Sequence, residues 1–260
     1  HISYSACGLP YYIEGNFEDY RMLLVRSPEE FEAVNVHIHL RHRAVKIIPC
    51  CKQVLIQDLD NNKAELVDYD KLIIATGARP TIPPIKNINL KNIFTVRKIE
   101  DGIAIKEKAM NSKSAVILGG GYIGIEMLEA LVKQKLHVTL FEYSDYIMRH
   151  FDPDMSNLIY EQLMSTADGR FEIYTNELVT EFSGDNNGVN TVKTGSGKVL
   201  DVDMVIVAAG ATPNVEIARE AGIEIGITGA IKVNDRMQTN FEDIYACGDC
   251  VEENLLISNT

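Results

Sequence analysis

Residues 115–124 read Ala-Val-Ile-Leu-Gly-Gly-Gly-Tyr-Ile-Gly, an apolar run that passes directly into a glycine-rich turn. The run has the length and the branched side chains of a buried parallel strand, and the stretch from Tyr122 to about Lys133 predicts a helix. A second apolar run, His137–Phe141, predicts the next strand. This order predicts a β-α-β unit of the Rossmann type, and therefore an α/β fold.

The glycines of this turn match the pattern G-x-G-x-x-G, which binds dinucleotides when it follows a strand and opens a helix. Gly119 permits the tight turn, Gly121 lets a pyrophosphate approach the backbone, and Gly124 lets the helix pack closely on the strand. The helix N-terminus then offers free N–H groups to the phosphates. The alternative interpretation is a glycine-rich turn that holds no ligand.

Glu142 follows the second predicted strand, 23 residues after Gly119. A carboxylate at this point accepts a hydrogen bond from the 2′-hydroxyl of an adenosine ribose. The same negative charge repels a 2′-phosphate. The sequence therefore favours NADH over NADPH as the ligand.

The composition excludes several classes of partner. The chain has 260 residues, of which 46% are hydrophobic, and its 25 basic and 37 acidic residues give a net charge of −12. An acidic surface repels nucleic acid and anionic lipid, so neither is an expected partner. No apolar run approaches the roughly 20 residues that span a bilayer, and the first residues do not predict a signal peptide. Five cysteines are too few for a disulfide scaffold, so we expect a reducing cytoplasm.

Further elements are expected on both sides of the β-α-β unit. Turn residues and apolar patterns predict the following segments: a short helix from Pro28, a half-buried strand over Val34–Leu40, a hairpin of Val54–Gln57 with Glu65–Val67, a buried strand over Leu72–Ala75, a helix from Pro153 to about Leu163, and short strands between 171 and 208. Residues 72–80 and 205–213 also resemble each other, which indicates two domains of related architecture.

Cys7 is followed by Gly-Leu-Pro-Tyr-Tyr. This stretch resembles the redox-cysteine segment of the flavin-dependent coenzyme A-disulfide reductases and their NADH oxidase relatives. Glutathione reductase-type enzymes carry a second cysteine five residues on, where this chain has Tyr12. The resemblance is therefore to the single-cysteine types.

The likeness covers nearly the whole chain, in order. Five segments resemble motifs of the pyridine nucleotide-disulfide oxidoreductases: residues 3–12, 69–80, 119–142, 203–214 and 239–249. The resemblance implies a Rossmann-like NAD(P)-binding domain, residues 101–220, inserted in a FAD-binding domain of the glutathione reductase-like architecture. The FAD-binding parts are expected at 1–100 and 221–260. By the same resemblance, the first FAD-binding strand and glycine loop would precede His1, and the interface domain would follow Thr260.

The resemblance also assigns roles to residues. It implies that Cys7 is catalytic and that no residue binds a metal. The residues that it implies for FAD are Ser3, Ala75, Thr76, Gly77, Arg97, Gly248 and Asp249. The residues that it implies for NAD are Gly119, Gly121, Tyr122, Ile123, Gly124, Glu126, Glu142 and Gly210.

The activity implied by the resemblance is reduction of a small-thiol disulfide, of the coenzyme A-disulfide or persulfide type, with electrons from NADH through FAD. The substrate thiol would form a disulfide with Cys7, and the full-length parent would be a homodimer. One alternative is an NADH oxidase or peroxidase whose cysteine cycles through a sulfenic acid. Another is an NAD-binding fragment without catalysis.

We do not expect the remaining cysteines, or three closely spaced histidines, to take part in the chemistry. Cys247 and Cys250 form a C-x-x-C that overlaps the predicted FAD segment, so we do not expect them to be a redox pair. The alternative interpretation is a redox pair of the thioredoxin reductase type. Cys50 and Cys51 are expected to be two packed thiols, because a bridge between neighbours is strained. His37, His39 and His42 are expected to be solvated rather than metal-bound.

Overall fold

The computed structural model describes residues 2–166 and 169–253. Its helices are α1 Leu9–Glu14, α2 Pro28–Glu32, α3 Ile99–Ala109, α4 Tyr122–Lys133, α5 Pro153–Thr166 and α6 Glu216–Glu220. Its strands are β1 His42–Ile48, β2 Gln53–Asp58, β3 Lys63–Asp68, β4 Leu72–Ile74, β5 Ala78–Pro80, β6 Ile93–Thr95, β7 Ser114–Leu118, β8 His137–Phe141, β9 Phe171–Tyr174, β10 Val179–Asp185, β11 Gly188–Thr194, β12 Val199–Asp201, β13 Met204–Val207, β14 Ala211–Pro213, β15 Ile231–Lys232, β16 Ile244–Ala246 and β17 Val251–Glu252.

The chain separates into two compact units. The first unit contains residues 1–27 and 80–210, and the second contains residues 28–79 and 211–260. The predicted NAD-binding segment, 101–220, belongs to the first unit except for its last ten residues, 211–220. The boundaries predicted at residues 100 and 220 differ from those between the compact units, and they stay predictions.

The first unit is built on a parallel sheet of five strands, in the order β6-β13-β7-β8-β9. Its central strands are buried on both faces, as apolar runs of a parallel sheet require, and Ile117, Leu140 and Ile206 are fully buried. The unit β7-α4-β8 has the predicted bounds almost to the residue. The predicted Rossmann-type α/β fold is therefore confirmed, and so is the predicted helix that begins at Pro153.

A second, antiparallel sheet of the first unit contains β10, β11 and β12. It lies within the region 171–208, where short strands were predicted. Its apolar side chains, including Phe182 and Val192, share a core with Val116 and Val205 of the parallel sheet.

Asp203 joins the start of β13 to the start of β7. Its Oδ2 accepts hydrogen bonds from the backbone N–H groups of Lys113 (2.7 Å) and Ser114 (3.0 Å). Partial burial opposes ionisation, but these hydrogen bonds outweigh it and lower the pKa of the Asp203 carboxyl. A carboxyl whose pKa is lowered by folding stabilises the protein at neutral pH. That stability is lost as the pH falls through the folded-state pKa, which lies below the usual value of about 3.9.

Replacing Asp203 by alanine is therefore expected to lower the free energy of unfolding at neutral pH by about 1–3 kcal/mol, since two backbone donors lose a charged acceptor. The difference from the wild type should shrink as the pH falls below about 4. Urea unfolding at both pH values measures it, with Asp201→Ala, an exposed residue of β12, as the matched control. A deficit that stays constant with pH would contradict this account.

The second unit contains several small sheets. An antiparallel sheet has the order β1-β2-β3, and two parallel pairs are β16 with β4 and β15 with β17. The predicted hairpin is confirmed as β2 and β3, with Val54 opposite Val67. Ile47, Ile74, Ile231 and Ala246 are buried in one apolar core of this unit.

The strand predicted over Val34–Leu40 is wrong. That segment is turn and irregular chain, and β1 begins only at His42. Val34 is 63% exposed, so the alternating apolar residues do not face a core. Arg41 has a left-handed backbone (φ +57°) directly before β1, which breaks the extended chain. The sequence of this segment alternates apolar and polar residues, but no strand of the described chain pairs with the segment.

The strand predicted over Leu72–Ala75 exists as β4, although it is not buried throughout. Ile74 is buried, whereas Ile73 is 66% exposed. β4 pairs with β16 in the described residues, and the alternation of its side chains places Ile73 on the opposite face from the core.

Candidate functional site

The glycine-rich turn between β7 and α4 has the close backbone contacts that glycine permits. Gly119 has φ +103°, and a Cβ there would lie 2.3 Å from the carbonyl oxygen of Ala208. A Cβ on Gly124 would lie 1.9 Å from the carbonyl oxygen of Gly119. Both contacts are with backbone atoms, which cannot swing away. These two glycines are therefore required by the fold itself, independently of a ligand.

Gly121 differs from its neighbours. It is the N-cap of α4, no side chain caps this helix end, and a Cβ there would meet no described atom within 4 Å. The space in front of the helix N-terminus is therefore open, and the positive end of the helix dipole faces it. These residues fit the pyrophosphate of a dinucleotide.

Glu142 is 6% exposed and its carboxylate is held by polar hydrogens of the same loop region. Oε2 accepts from the Gly120 N–H (2.6 Å), and Oε1 accepts from the Ser144 N–H (2.9 Å) and the Ser144 hydroxyl. A carboxylate has about four acceptor positions, so about one remains for a ribose hydroxyl. The sequence indicated Glu142 but not Gly120 and Ser144 as its partners, because hydrogen-bond partners leave no spacing pattern.

Arg149 places a cation beside this carboxylate region. Its Nη1 donates to the Tyr143 hydroxyl (3.2 Å) and to the Ser144 hydroxyl (3.4 Å). A nearby arginine is the group that accommodates a 2′-phosphate in dinucleotide sites. The loop after β8 thus brings a carboxylate, Glu142, and a guanidinium, Arg149, to the same serine hydroxyl.

The remaining residues predicted for NAD lie at the same edge of the sheet. Tyr122 and Ile123 are half-exposed on the first turn of α4, and the Tyr122 ring stacks on His150 with centroids 5.4 Å apart. Glu126 has a raised pKa, because neighbouring protein desolvates its carboxyl and the charge of Glu129 repels it. Gly210 follows β13 with φ +102°. Their contacts with a dinucleotide stay predictions.

Cys7 belongs to the first unit. It lies in the short 3-10 turn Ala6–Gly8 directly before α1, and its thiol side is exposed. A Cβ on the next residue, Gly8, would lie 2.5 Å from Leu23, so this turn is closely packed from behind. The backbone before the turn is held by the Ser5 N–H, which donates to the Leu23 carbonyl (2.8 Å). The structure therefore presents this thiol to solvent on an ordered turn.

The helix that follows Cys7 is fixed to the dinucleotide unit. The Gln134 side-chain amide donates to the carbonyls of Ile13 and Glu14, both at 2.9 Å, and Lys133 pairs with the Glu14 carboxylate (2.6 Å). This ion pair raises the pKa of Lys133. Helix α1 is therefore held against the end of α4.

A buried lysine of α3 holds the segment after α1. Lys106 is 4% exposed, and its Nζ donates to the Phe17 carbonyl (3.1 Å), pairs with Glu18 (3.1 Å) and lies 4.4 Å from the centre of the Tyr12 ring. A buried ammonium is stable only with such partners. Sequence patterns did not indicate Lys106, since a lysine on an amphipathic helix is usually solvated.

Five of the residues predicted for FAD come together in the second unit. The strands β4 and β16 run parallel with Ile74 opposite Ala246, so the loops that follow them lie side by side. The loop after β4 contains Ala75, Thr76 and Gly77, and the loop after β16 contains Gly248 and Asp249. Ligands of parallel sheets bind outside such carboxyl ends, and Gly248 (φ +78°) has open space at its Cβ position. The residues fit a bound ligand at this edge.

Asn214 holds the first of these loops and was missed in the sequence. Its side-chain amide donates to the Thr76 carbonyl (2.9 Å), and its own carbonyl accepts from the Thr76 hydroxyl (2.6 Å). The other two predicted residues, Ser3 and Arg97, belong to the first unit. There the Ser3 carbonyl accepts from Val25 N–H (3.1 Å), and the Arg97 carbonyl accepts from the Tyr4 hydroxyl (3.1 Å).

All five cysteines lie within the described residues and are free thiols. Cys247 is exposed, whereas Cys250 is buried and its thiol donates to the Cys247 carbonyl (3.2 Å). His37 is exposed and lies 3.0 Å from Glu32. Within the described ranges, no three His, Cys, Asp or Glu side chains gather into a metal-binding group. Over the same ranges, no helix has the length and apolar character needed to cross a membrane.

Comparison with known proteins identifies the family. The family model described as pyridine nucleotide-disulphide oxidoreductase matches residues 1–259. An NADH oxidase of Methanocaldococcus jannaschii is 36% identical over 255 residues, 96% of this chain and 55% of the relative. A CoA-dependent NAD(P)H sulfur oxidoreductase of Pyrococcus abyssi is 35% identical over 261 residues, 99% of this chain and 56% of the relative.

A solved structure agrees with these relatives. The NAD-dependent persulfide reductase from A. fulgidus superposes with a TM-score of 0.93 at 33% identity, over 100% of this chain and 49% of that one. The chain spans about half the length of the curated relatives it matches. It belongs to the pyridine nucleotide-disulphide oxidoreductase family, and the predicted family and architecture are thereby confirmed.

Proposed function

We propose that this member of the pyridine nucleotide-disulphide oxidoreductases is a flavin-dependent NADH oxidoreductase that reduces a small-thiol disulfide through Cys7. The substrate class is a coenzyme A-disulfide or a related persulfide. The observation that carries the proposal is the placement of an exposed thiol, Cys7, on a turn whose following helix is fixed to the dinucleotide unit. The names of the P. abyssi and A. fulgidus relatives support the substrate class.

The dinucleotide would be held by the glycine-rich turn and by Glu142. The open helix end at Gly121 receives the phosphates, and the buried Glu142 carboxylate, already oriented by Gly120 and Ser144, receives a ribose hydroxyl. Preorganised acceptors of this kind do not have to be ordered when the ligand binds. This placement would hold the dinucleotide at the edge of the sheet.

FAD, when bound, supplies the acceptor for the hydride of NADH. The loops that contain residues 75–77 and 248–249 would hold it, with Asn214 fixing the first loop. Cys7 performs the thiol chemistry: its thiolate attacks one sulfur of the disulfide, a mixed disulfide with Cys7 forms, and one substrate thiol leaves. Two electrons then cleave the mixed disulfide and release the second thiol, so each NADH yields two thiols.

The test is an anaerobic assay of the FAD-reconstituted protein with NADH and coenzyme A-disulfide. We expect NADH oxidation to require the disulfide and two free thiols to appear for each NADH consumed. NADH oxidation without thiol release would refute disulfide reduction.

A second candidate function is an NADH oxidase that cycles through a Cys7 sulfenic acid, which the name of the M. jannaschii relative favours. It predicts NADH consumption that depends on oxygen or peroxide and is indifferent to disulfide. Trapping of the sulfenic acid at Cys7 by a dimedone probe, under turnover in air, distinguishes the two functions.

The nucleotide preference follows from Glu142 and Arg149. Replacing Glu142 by alanine removes an acceptor of the ribose and the charge that repels a 2′-phosphate, while Arg149 stays. We expect the ratio of NADPH to NADH affinity to rise by about 10–100-fold, since one hydrogen bond to a charged group is worth about 1.5–3 kcal/mol. Fluorescence titration with both nucleotides measures it. Glu142→Gln is the control that keeps an acceptor, and an unchanged ratio in Glu142→Ala would contradict the assignment.

We also propose a cellular compartment and an oligomeric state for the enzyme. Five free thiols favour a reducing cytoplasm. The full-length parent is proposed to be a homodimer, as the resemblance implied, with a small thiol or disulfide as its partner.

A further inference from the structure

Cys50 and Cys51 lie outside the site described above. They occupy the 3-10 turn Pro49–Cys51 between strands β1 and β2 of the second unit. Both side chains are exposed, and their Sγ atoms are 3.6 Å apart. Neighbouring thiols that face solvent together are available to a ligand from solution, so this pair has a chemistry that the proposed reaction does not use.

The backbone holds this turn on both sides. Lys52 ends it with a left-handed conformation (φ +53°), and its N–H donates to the Pro49 carbonyl (3.2 Å). Ile48 and Gln53, on either side, pair across the hairpin. The Lys52 ammonium pairs with Asp243 (2.5 Å). The two cysteines thus lie next to each other on a hydrogen-bonded turn between two paired strands.

The separation of the sulfurs indicates which chemistry fits. A disulfide needs the sulfurs at about 2.05 Å, and adjacent cysteines reach that distance only with strain. Two sulfurs bound to one tetrahedral zinc, each at about 2.3 Å, lie roughly 3.8 Å apart. The observed 3.6 Å is close to the second value and far from the first. At this separation one thiol can donate a hydrogen bond to the other, and one soft atom can bind both sulfurs with little movement of either side chain.

The number of protein ligands available limits which atom the two sulfurs can share. No third His, Cys, Asp or Glu joins Cys50 and Cys51 in a metal-binding group within the described residues. Structural zinc takes four protein ligands, so a centre that needs only two protein bonds fits better. Thiolates select soft centres over hard ones.

We propose that Cys50 and Cys51 form a two-sulfur chelating site for a soft, thiophilic centre with two open positions, of which a mono-organic trivalent arsenical is the simplest. With phenylarsine oxide, two arsenic–sulfur bonds form and the arsenic–oxygen bond breaks. Both thiol protons leave with that oxygen as water, and arsenic stays trivalent, so no oxidant is required.

The test uses the whole chain and phenylarsine oxide, with intact mass spectrometry in the presence of excess monothiol. We expect one phenylarsenic adduct per chain in the wild type and in Cys247→Ser/Cys250→Ser, the control that removes the other two cysteines of the second unit. Cys50→Ser and Cys51→Ser should each lower the affinity at least about 100-fold, since a single sulfur loses the chelate effect. Wild-type affinity in either single variant, or loss of the adduct in the control, would overturn the proposal.

A second measurement on the wild type does not depend on any variant folding. The arsenical should protect Cys50 and Cys51 together from alkylation by iodoacetamide, while Cys7 and Cys247, both exposed, stay reactive. Peptide mapping reads the protection of each thiol separately. Protection of only one of the two, or of other cysteines instead, would refute a shared centre.

Discussion

Replacing Cys7 by serine is expected to lower the rate of NADH-driven disulfide reduction at least about 10³-fold, because the nucleophile that forms the mixed disulfide is removed. A serine hydroxyl has nearly the same size but does not exchange with disulfides. NADH affinity should stay within about two-fold of wild type, because Cys7 precedes α1 and takes no part in the glycine-rich turn. Thiol release and NADH binding, measured on the same protein, separate the two effects.

Cys50→Ser is the matched control for this variant. Its thiol is also exposed but lies in the second unit, on the hairpin turn. Disulfide reduction should be unchanged in it. A Cys7→Ser protein that keeps most of its activity would move the chemistry elsewhere, and Cys247 would then be the next thiol to replace.

The glycines of the dinucleotide turn are expected to divide into two classes: substitution of one class lowers the stability of the fold, and substitution of the other lowers the affinity for NADH. Gly124→Ala places a Cβ 1.9 Å from the Gly119 carbonyl oxygen, so the turn must shift in the absence of any ligand. We expect the free energy of unfolding to fall by about 1–3 kcal/mol, as in other overpacked positions. Gly121→Ala meets no described atom within 4 Å and has an ordinary backbone (φ −83°), so the fold should tolerate it.

Gly121→Ala should nevertheless weaken NADH binding, since its methyl group would occupy the space in front of the helix where the pyrophosphate is proposed to lie. We expect a loss of at least about 10-fold, or 1.4 kcal/mol. Thermal unfolding and NADH calorimetry on both variants provide the comparison. Normal NADH affinity in a stable Gly121→Ala protein would place the dinucleotide elsewhere.

The β-α-β unit could be predicted from the sequence because its signals are local. The strand Ser114–Leu118, the turn and the helix Tyr122–Lys133 each have a pattern within about 12 residues, and the backbone contacts of Gly119 and Gly124 follow from their positions in it. The hairpin of β2 and β3 was predictable for the same reason, since Asp60-Asn61-Asn62 are turn residues between two strand patterns.

What the sequence did not reveal depends on distant partners. Lys106 and Gln134 hold the region of Cys7 by contacts with residues about 90 and 120 positions away, which no local pattern predicts. Asn214 reaches Thr76 across 138 positions in the same way. The false strand at Val34–Leu40 has the converse cause: its alternation is local, but strand formation requires a neighbour to pair with.

The site residues are intermediate between these cases. Motifs indicated Cys7, Glu142 and the glycines as candidates, but only the structure shows the surroundings of each. Glu142 is buried and accepts hydrogen bonds from Gly120 and Ser144, which its spacing from Gly119 did not predict.

The central claim is that electrons from NADH reach a small disulfide through Cys7. The most direct measurement is peptide mass spectrometry of the FAD-reconstituted protein after treatment with coenzyme A-disulfide, before and after anaerobic NADH. The account predicts a coenzyme A mixed disulfide on Cys7 that NADH removes, with release of free coenzyme A. An adduct on another cysteine, or one on Cys7 that NADH leaves in place, would contradict it.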